Sequence, residues 1–416
     1  MSAHARPSRR SLYGMLFASS VSIAGTRVST IALPWLVYSE TESASLTGVV
    51  LAAEMAPYVI SKALGGPLVD RRGPRAISVA GDLLSGAFLA LIPILYAAGQ
   101  LALPDRIPLL LALVALAGVF RGPGDGARNA MIPAVADASG VPLERITGLD
   151  STIDRASGLL GAGIGGLLVG AFGAAQTVAV TAGASFVSAL VVALVIPRFA
   201  HADSDDEGSY LARLRTGASF LRQDRLLRSI LAMITVTNLL EAAYISVMLP
   251  VWVHDNGHGP QLIGLLGILF GGAAVGSSLI ATTMAGRFSR RTAYLLGFSL
   301  AGAPRYLALA FGAPLWLIIG SNVVAGFGIG FINPTINAIF FERVPRPIIG
   351  RVGSLADALA WAGLPVGGAV GGAAVAAIGI APALGFAGVA YLVSTTVPGM
   401  RPEWRDLDRG FRHADT

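Results

Sequence analysis

The 416-residue chain contains no cysteine. Disulfide frameworks and thiolate chemistry are excluded, and the redox state of its compartment leaves no trace in it. It contains one lysine, Lys62, and alanine follows it. A phosphate-binding P-loop needs Gly-x-x-x-x-Gly-Lys-Ser/Thr, because the lysine must reach the phosphates. The polypeptide therefore carries no Walker-type ATPase of its own, and uphill work needs an ion gradient or a partner. Charge is also scarce: 13% of residues are Asp, Glu, Lys or Arg, and mean hydropathy is +0.68. That is too apolar for a soluble chain of this length and normal for one that crosses a membrane many times. The sequence offers no nucleophile–base pair and no ligand cluster, so neither an enzyme nor a bound cofactor or metal is expected. His254 and His258, four apart in a glycine-containing loop, make no metal site.

What is present is apolar sequence in blocks. Twelve runs, near 12–38, 46–69, 76–98, 108–133, 147–171, 174–197, 229–253, 261–285, 291–311, 314–341, 350–377 and 380–398, are long enough to cross a bilayer, given about 20 residues per crossing. This predicts an all-α membrane protein of twelve transmembrane helices. Net charge is +6 and the pI about 10.0, which in a soluble protein would suggest nucleic acid. Placement argues against that. Of the 30 Lys and Arg residues, 23 fall in the two tails, the 2–3, 8–9 and 10–11 loops, the central loop and at Arg145; only Arg106 lies in the opposite set of loops. Basic residues accumulate on the cytoplasmic side. Both termini and the central loop are therefore expected in the cytoplasm, with the lipid bilayer, not nucleic acid, as the surrounding partner.

The chain also repeats itself. Leu33-Pro34 recurs 216 residues later as Leu249-Pro250, and Gly48 as Gly264. The basic turn Asp70-Arg71-Arg72-Gly73-Pro74-Arg75 recurs as Gly286-Arg287-Phe288-Ser289-Arg290-Arg291. Asn129-Ala130 maps on Asn337-Ala338 at offset 208, and Gly161-Ala162-Gly163-Ile164-Gly165-Gly166 on Gly367-Gly368-Ala369-Val370-Gly371-Gly372 at offset 206. Two homologous membrane halves are the architecture of a large class of secondary transporters. The expected organisation is a six-helix bundle over 1–200, a cytoplasmic linker over 201–228, and a second six-helix bundle with a cytoplasmic tail over 229–416. The linker opens acidic at Asp203, Asp205, Asp206 and Glu207. It continues with leucines among Arg213, Arg215, Arg222, Arg225 and Arg228, the pattern of an amphipathic helix on an anionic leaflet.

Charges inside spans are costly and mark function or pairing. At about 1.5 Å of rise per residue, Arg27, Glu54, Arg121 and Glu241 all come to lie near mid-membrane, on spans 1, 2, 4 and 7. They suggest one central polar cluster, which Asp125 joins one turn below Arg121. Burial favours a neutral acid and a neighbouring guanidinium favours a carboxylate. Protonating such an acid would release its arginine, which is a means of coupling a proton to transport. Glu54 is the first candidate for that acid and Glu241 the second. A static ion pair is the alternative. Asp82 reads as a helix-end structural contact. Arg305, Asn333 and Asn337 are candidates for the lining of a cavity in the second half, alongside Asn322. Tyr58 and Tyr244 are read as either interfacial anchors or ligand contacts.

Gly66-Pro67-Leu68-Val69-Asp70-Arg71-Arg72-Gly73-Pro74-Arg75 resembles the signature loop of the major facilitator superfamily between spans 2 and 3. Ala32-Leu33-Pro34-Trp35-Leu36-Val37, Ala127-Arg128-Asn129-Ala130-Met131-Ile132-Pro133 and the stretch 217–228 resemble its macrolide-efflux-like, drug:proton antiporter branch. The resemblance covers nearly the whole chain. It implies two pseudo-symmetric six-helix bundles and a cytoplasmic gate formed by Asp70, Arg71 and Arg75, with Arg128 as the expected partner of Asp70. The branch carries a Gly-Pro-x-x-Gly-Gly antiporter motif in span 5. Here Ala162 replaces the proline, and Gly161, Gly165 and Gly166 with Gly367, Gly371 and Gly372 are read as paired packing surfaces between the halves. The branch often has Asp directly after the span-1 glycine. This chain reads Gly25-Thr26-Arg27, so a coupling scheme resting on that acid does not carry over.

The resemblance further implies a monomeric secondary transporter in the cytoplasmic (inner) membrane of a bacterium. It would export small lipophilic or amphipathic compounds in exchange for protons by alternating access. A dedicated exporter of one endogenous product, such as a siderophore or antibiotic, is the nearest alternative. A non-transporting scaffold or regulatory subunit is the alternative of a different class, and it would have no need of mid-membrane charges.

Overall fold

The structure is a computed structural model that describes residues 9–197, 218–283, 290–345, 348–400 and 404. Most of the expected amphipathic linker helix, including Arg213 and Arg215, lies outside the described residues. So do the side chains of Asn333 and Asn337. The chain divides into two compact units, 1–203 with 256–264, and 204–255 with 265–416.

The first unit contains α1 (Arg10–Thr41), α2 (Ala44–Leu64), α3 (Gly66–Arg72), α4 (Pro74–Ala97), α5 (Ile107–Ala130), α6 (Ile132–Ser139), α7 (Leu143–Phe172) and α8 (Ala174–Val195). The second contains α9 (Arg225–Ala243), a π-helical turn (Tyr244–Met248), α10 (Leu249–Asp255), α11 (Gln261–Thr283, whose first turn, 261–264, groups with the first unit), α12 (Arg290–Ala301), α13 (Ala303–Ala310), α14 (Leu315–Arg343), α15 (Ile349–Trp361), α16 (Gly363–Ile378) and α17 (Ile380–Gly399). No strand occurs among the described residues. Among the described residues helix occupies most of each of the twelve predicted runs, and nine helices are long and apolar enough to cross a membrane. All-helical spans follow from the solvent: lipid offers no hydrogen bonds, so each segment must satisfy its own backbone. Exteriors are accordingly apolar, as at Leu194 (69% exposed) and Phe386 (69%).

Sequence sets the boundaries locally. Ser43 caps α2, accepting from Leu46 N, and Asp224 caps α9, accepting from Leu227 N at 2.9 Å. Between α7 and α8 the chain turns at Gly173 (φ 86°, ψ 160°), and between α16 and α17 at Gly379 (φ 80°, ψ 165°). Only glycine adopts that backbone readily, and the two residues are 206 apart, the offset of the glycine runs.

The duplication is legible in the packing of each unit. In the first, α1 packs on α7 and α8, and α4 on α5 and α8; in the second, α9 packs on α16 and α17, α12 on α14, and α13 on α17. Close approaches repeat residue for residue. A Cβ on Gly122 would meet Ser61, the Tyr58 carbonyl and Lys62 N; on Gly330 it would meet Ser277, the Ala274 carbonyl and Ser278 N. Those pairs stand at offsets 208 and 216.

Four of the six glycines of the span-5 and span-11 runs pack inside their own half. Gly161 and Gly165 pack on Ala24, Arg27 and Val28 of α1, inside the first unit. Gly367 and Gly371 pack on Leu239, Ala242 and Ala243 of α9, inside the second. Gly166 closes on Pro260 and Gly264, a stretch grouped with the first unit, and Gly372 is buried in α16. Gly161, Gly165, Gly367 and Gly371 thus draw helices together within one half, whereas Gly166 approaches the start of α11. Their small size sets how near a neighbour comes, but not which neighbour it is.

Candidate functional site

Two polar stripes face each other in the first unit. Glu54, Tyr58 and Lys62 are four residues apart on α2 and so share a face. Arg121, Asp125 and Arg128 do the same on α5. Gly118 and Gly122 let the two helices close: a Cβ on Gly118 would lie 3.3 Å from the carbonyl carbon of Glu54. Arg121 Nη1 then donates to Glu54 Oε1 at 3.3 Å, and Ser29 Oγ of α1 donates to the same oxygen at 3.4 Å. Both side chains are closed off, Arg121 at 6% and Glu54 at 2% exposed. The Arg121 guanidinium also lies 5.0 Å from the centre of the Tyr58 ring.

From Tyr58 the polar contacts continue. Its hydroxyl donates to Asp125 Oδ2 at 3.1 Å and accepts from Lys62 Nζ at 3.2 Å. Arg128 Nη1 donates to Asp125 Oδ1 at 3.3 Å, and Arg128 Nη2 to Asp82 Oδ2 at 2.6 Å. Ser188 Oγ of α8 donates to the same Asp82 oxygen at 2.6 Å. An unbroken series of polar contacts thus joins α1, α2, α5, α4 and α8.

The second unit holds its own charged centre. Glu241 of α9 pairs with Arg305 of α13. The Arg305 guanidinium is walled by Tyr244 (4.7 Å to the ring centre), Phe270 (5.0 Å) and Tyr306 (5.6 Å). Tyr306 in turn packs on Tyr391 of α17, ring centres 5.9 Å apart. Asn322, expected along a second-half cavity, is buried and donates to the Ile318 carbonyl within α14.

Within the first unit Glu54 pairs with Arg121, within the second Glu241 pairs with Arg305, and Arg27 joins neither pair. Equal depth does not fix the direction a side chain takes. Arg27 and Ser29 are two residues apart, so they leave α1 on nearly opposite sides. Ser29 reaches Glu54, whereas Arg27 is half-buried against α7 and forms no ion pair among the described residues. The expected Asp70–Arg128 pair is corrected: Arg128 serves Asp82 and Asp125. Asp82 contacts Arg128, which stands in the last turn of α5. Asp70 is exposed on α3. Arg71, Arg72 and Arg75 line a cavity of about 660 Å³ with Val79, Ala80 and Leu83, and Arg75 donates to the Ala193 carbonyl of α8. Among the described residues, no group of His, Asp and Glu could hold a metal ion.

Two similar helical units with paired charges buried in membrane spans define a polytopic transporter. Residues 15–252 and 231–403 match the sequence pattern of the Major Facilitator Superfamily. The chain belongs to that superfamily and is a multi-pass membrane protein. It is 32% identical over 404 residues to the multidrug efflux pump Tap of Mycobacterium tuberculosis, covering 95% of this chain and 94% of that one. It is 22% identical to macrolide efflux protein A of Streptococcus pyogenes, over 85% of this chain and 87% of the relative. Among solved structures, it resembles a bacterial homologue of the lysosomal transporter Spinster (TM-score 0.73, 14% identity, 98% of both chains). The nucleoside transporter NupG is similar in the same way (TM-score 0.71, 16% identity, 93% of this chain and 98% of that one). These two likenesses concern the fold.

Proposed function

We propose that the chain exports hydrophobic or amphipathic small molecules in exchange for protons, by alternating access, as a monomer in the cytoplasmic (inner) membrane of a bacterium. The substrate class follows the names of its relatives, Tap and macrolide efflux protein A. Both termini and the 201–228 linker face the cytoplasm in this reading, and the linker tethers two bundles, 1–200 and 229–416. Asp70, Arg71 and Arg75 serve the cytoplasmic gate.

The observation that carries proton coupling is the Glu54–Arg121 pair. A carboxylate 2% exposed, at mid-span, shares its oxygen between one guanidinium and one hydroxyl. Adding a proton to Glu54 cancels the attraction and leaves Arg121 as an uncompensated buried cation, which is strongly unfavourable. The helices carrying the pair must then rearrange, and Asp125, one turn along the same face as Arg121, is the acid nearest to hand. Loss of the proton on the other side restores the pair. The single event thus biases two arrangements of α2 against α5.

The test is flux in proteoliposomes under an imposed pH gradient, using a macrolide and a lipophilic dye. Gradient-dependent flux is expected in the wild type. Glu54→Gln should abolish the gradient dependence while still permitting downhill exchange. Undiminished proton-driven flux in Glu54→Gln would remove Glu54 as the coupling acid, and absence of flux in the wild type would sink the export reading.

A further inference from the structure

The three buried arginines among the described residues each hold a carboxylate: Arg121 with Glu54, Arg128 with Asp82 and Asp125, and Arg305 with Glu241. Arg27 holds none among the described residues. It is half-buried. It stands more than about 20 Å from either end of α1, at about 1.5 Å of rise per residue, too far for its side chain to snorkel to an interface. Packing does not explain its charge. The position 216 residues on is Ala243. Ala243 meets a glycine of α16 as Arg27 meets a glycine of α7: a Cβ on Gly371 or on Gly161 would lie 2.7 Å from the Cβ of that neighbour. The second unit makes the contact with a methyl group, so the guanidinium of Arg27 is surplus to it. The hydroxyls beside Arg27 are committed elsewhere. Thr26 Oγ1 donates to the Ser22 carbonyl at 3.0 Å, Thr30 Oγ1 to the backbone carbonyl of Arg27 at 2.7 Å, and Ser29 Oγ to Glu54. One turn before Arg27 on the same face, Ile23 and Ala24 are partly exposed.

A cation at that depth is costly until an anion compensates it. The donor set indicates which anion. A planar guanidinium offers N–H groups in a fork that matches a carboxylate two bonds at a time, and no neighbouring hydroxyl is left to complete a shell around a spherical ion. We propose that Arg27 is a binding subsite for the carboxylate of amphipathic anions, whose apolar body lies along Ile23 and Ala24. The assignment rests on the export reading and widens its substrates to organic anions. It also gives a use to the departure at the span-1 glycine: Gly25-Thr26-Arg27 sets a base near the place where an acid is usual, so the charge that meets a substrate there is reversed. A carboxylate-bearing amphiphile is favoured over a neutral one of the same shape for that reason.

The probe is naproxen, a carboxylate on an apolar ring system, with naproxen amide as its neutral counterpart. Equilibrium binding is measured on the full chain in nanodiscs of zwitterionic lipid at one neutral pH. Arg27→Gln removes the charge and keeps an unbranched side chain against α7. It should weaken naproxen about ten-fold or more and change the amide by less than about two-fold. A second readout needs no variant: phenylglyoxal should modify Arg27 in the wild type and naproxen should protect it, scored by peptide mass spectrometry. Equal naproxen binding by Arg27→Gln, no naproxen binding by the wild type, or modification of Arg27 that naproxen leaves unchanged would each overturn the assignment. Proton-driven export of a macrolide by the wild type is measured alongside. If it persists while naproxen binding fails, the subsite alone is wrong; if it too is absent, the reading beneath it falls.

Discussion

At the scale of residues, the largest energetic consequence belongs to Arg128 and Asp82, not to the signature loop. Their side chains are 4% and 2% exposed, and the pair is 2.6 Å long. Removing one partner of such a pair strands the other charge, at a cost of about 3–5 kcal/mol. Arg128→Gln should therefore lower stability sharply, and Asp82→Asn in the same background should recover most of the loss. Unfolding by denaturing detergent, run as a double-mutant cycle, checks this; two additive losses would show that the pair is not coupled. The sequence holds part of this information. Glu54, Tyr58 and Lys62 recur every fourth residue, as do Arg121 and Asp125, and a helix puts each series on one face. That pattern nominates Tyr58 as a link between acids, although its residue type alone reads as an anchor or a ligand contact. Which stripe meets which is not legible, because direction around the helix axis depends on the packed neighbour. Arg305 finds Glu241 for the same reason: the two lie 64 residues apart in sequence and meet only once α9 and α13 are packed in one unit.

At the scale of elements, small residues decide how close helices come. A Cβ on Gly122 would sit 2.7 Å from Lys62 N, and one on Gly330 would sit 2.6 Å from the Ala274 carbonyl and 2.7 Å from Ser278 N. Backbone cannot yield as a flexible side chain can, so Gly122→Ala must push α2 and α5 apart, and Gly330→Ala must do the same to α11 and α14. Overpacking of this kind costs about 1–3 kcal/mol. Gly126→Ala and Gly272→Ala, where a Cβ meets nothing within 4 Å, should instead be neutral or stabilise by about 0.5–1 kcal/mol, the helix preference of alanine over glycine. Melting temperatures of the four variants in one detergent decide it. If Gly122→Ala melts with Gly126→Ala, close approach is not what holds α2 to α5. The offsets of 208 and 216 residues are visible in the amino-acid order alone. Their meaning as matched helix contacts is not, since a repeat states that two segments are alike and leaves open what each touches.

At the scale of the whole molecule, the missing cysteine becomes an experimental asset. Every introduced cysteine is the only one, so labelling by a membrane-impermeant maleimide reports one position at a time. The placement of 23 basic residues against one predicts the outcome. In intact cells, Gln100→Cys and His258→Cys should react from outside. Asp206→Cys, in the linker, should react only after the membrane is opened. In sequence these three residues fall outside the twelve predicted spans, so the substitutions should leave the spans intact. The reverse pattern would turn the molecule over and place the Asp70 loop outside. It would leave the direction of exchange unchanged, because an antiporter moves its substrate against the protons it admits whichever way round it is inserted. Orientation therefore decides which end of the molecule takes up substrate, and the proton gradient decides whether that substrate leaves or enters the cell.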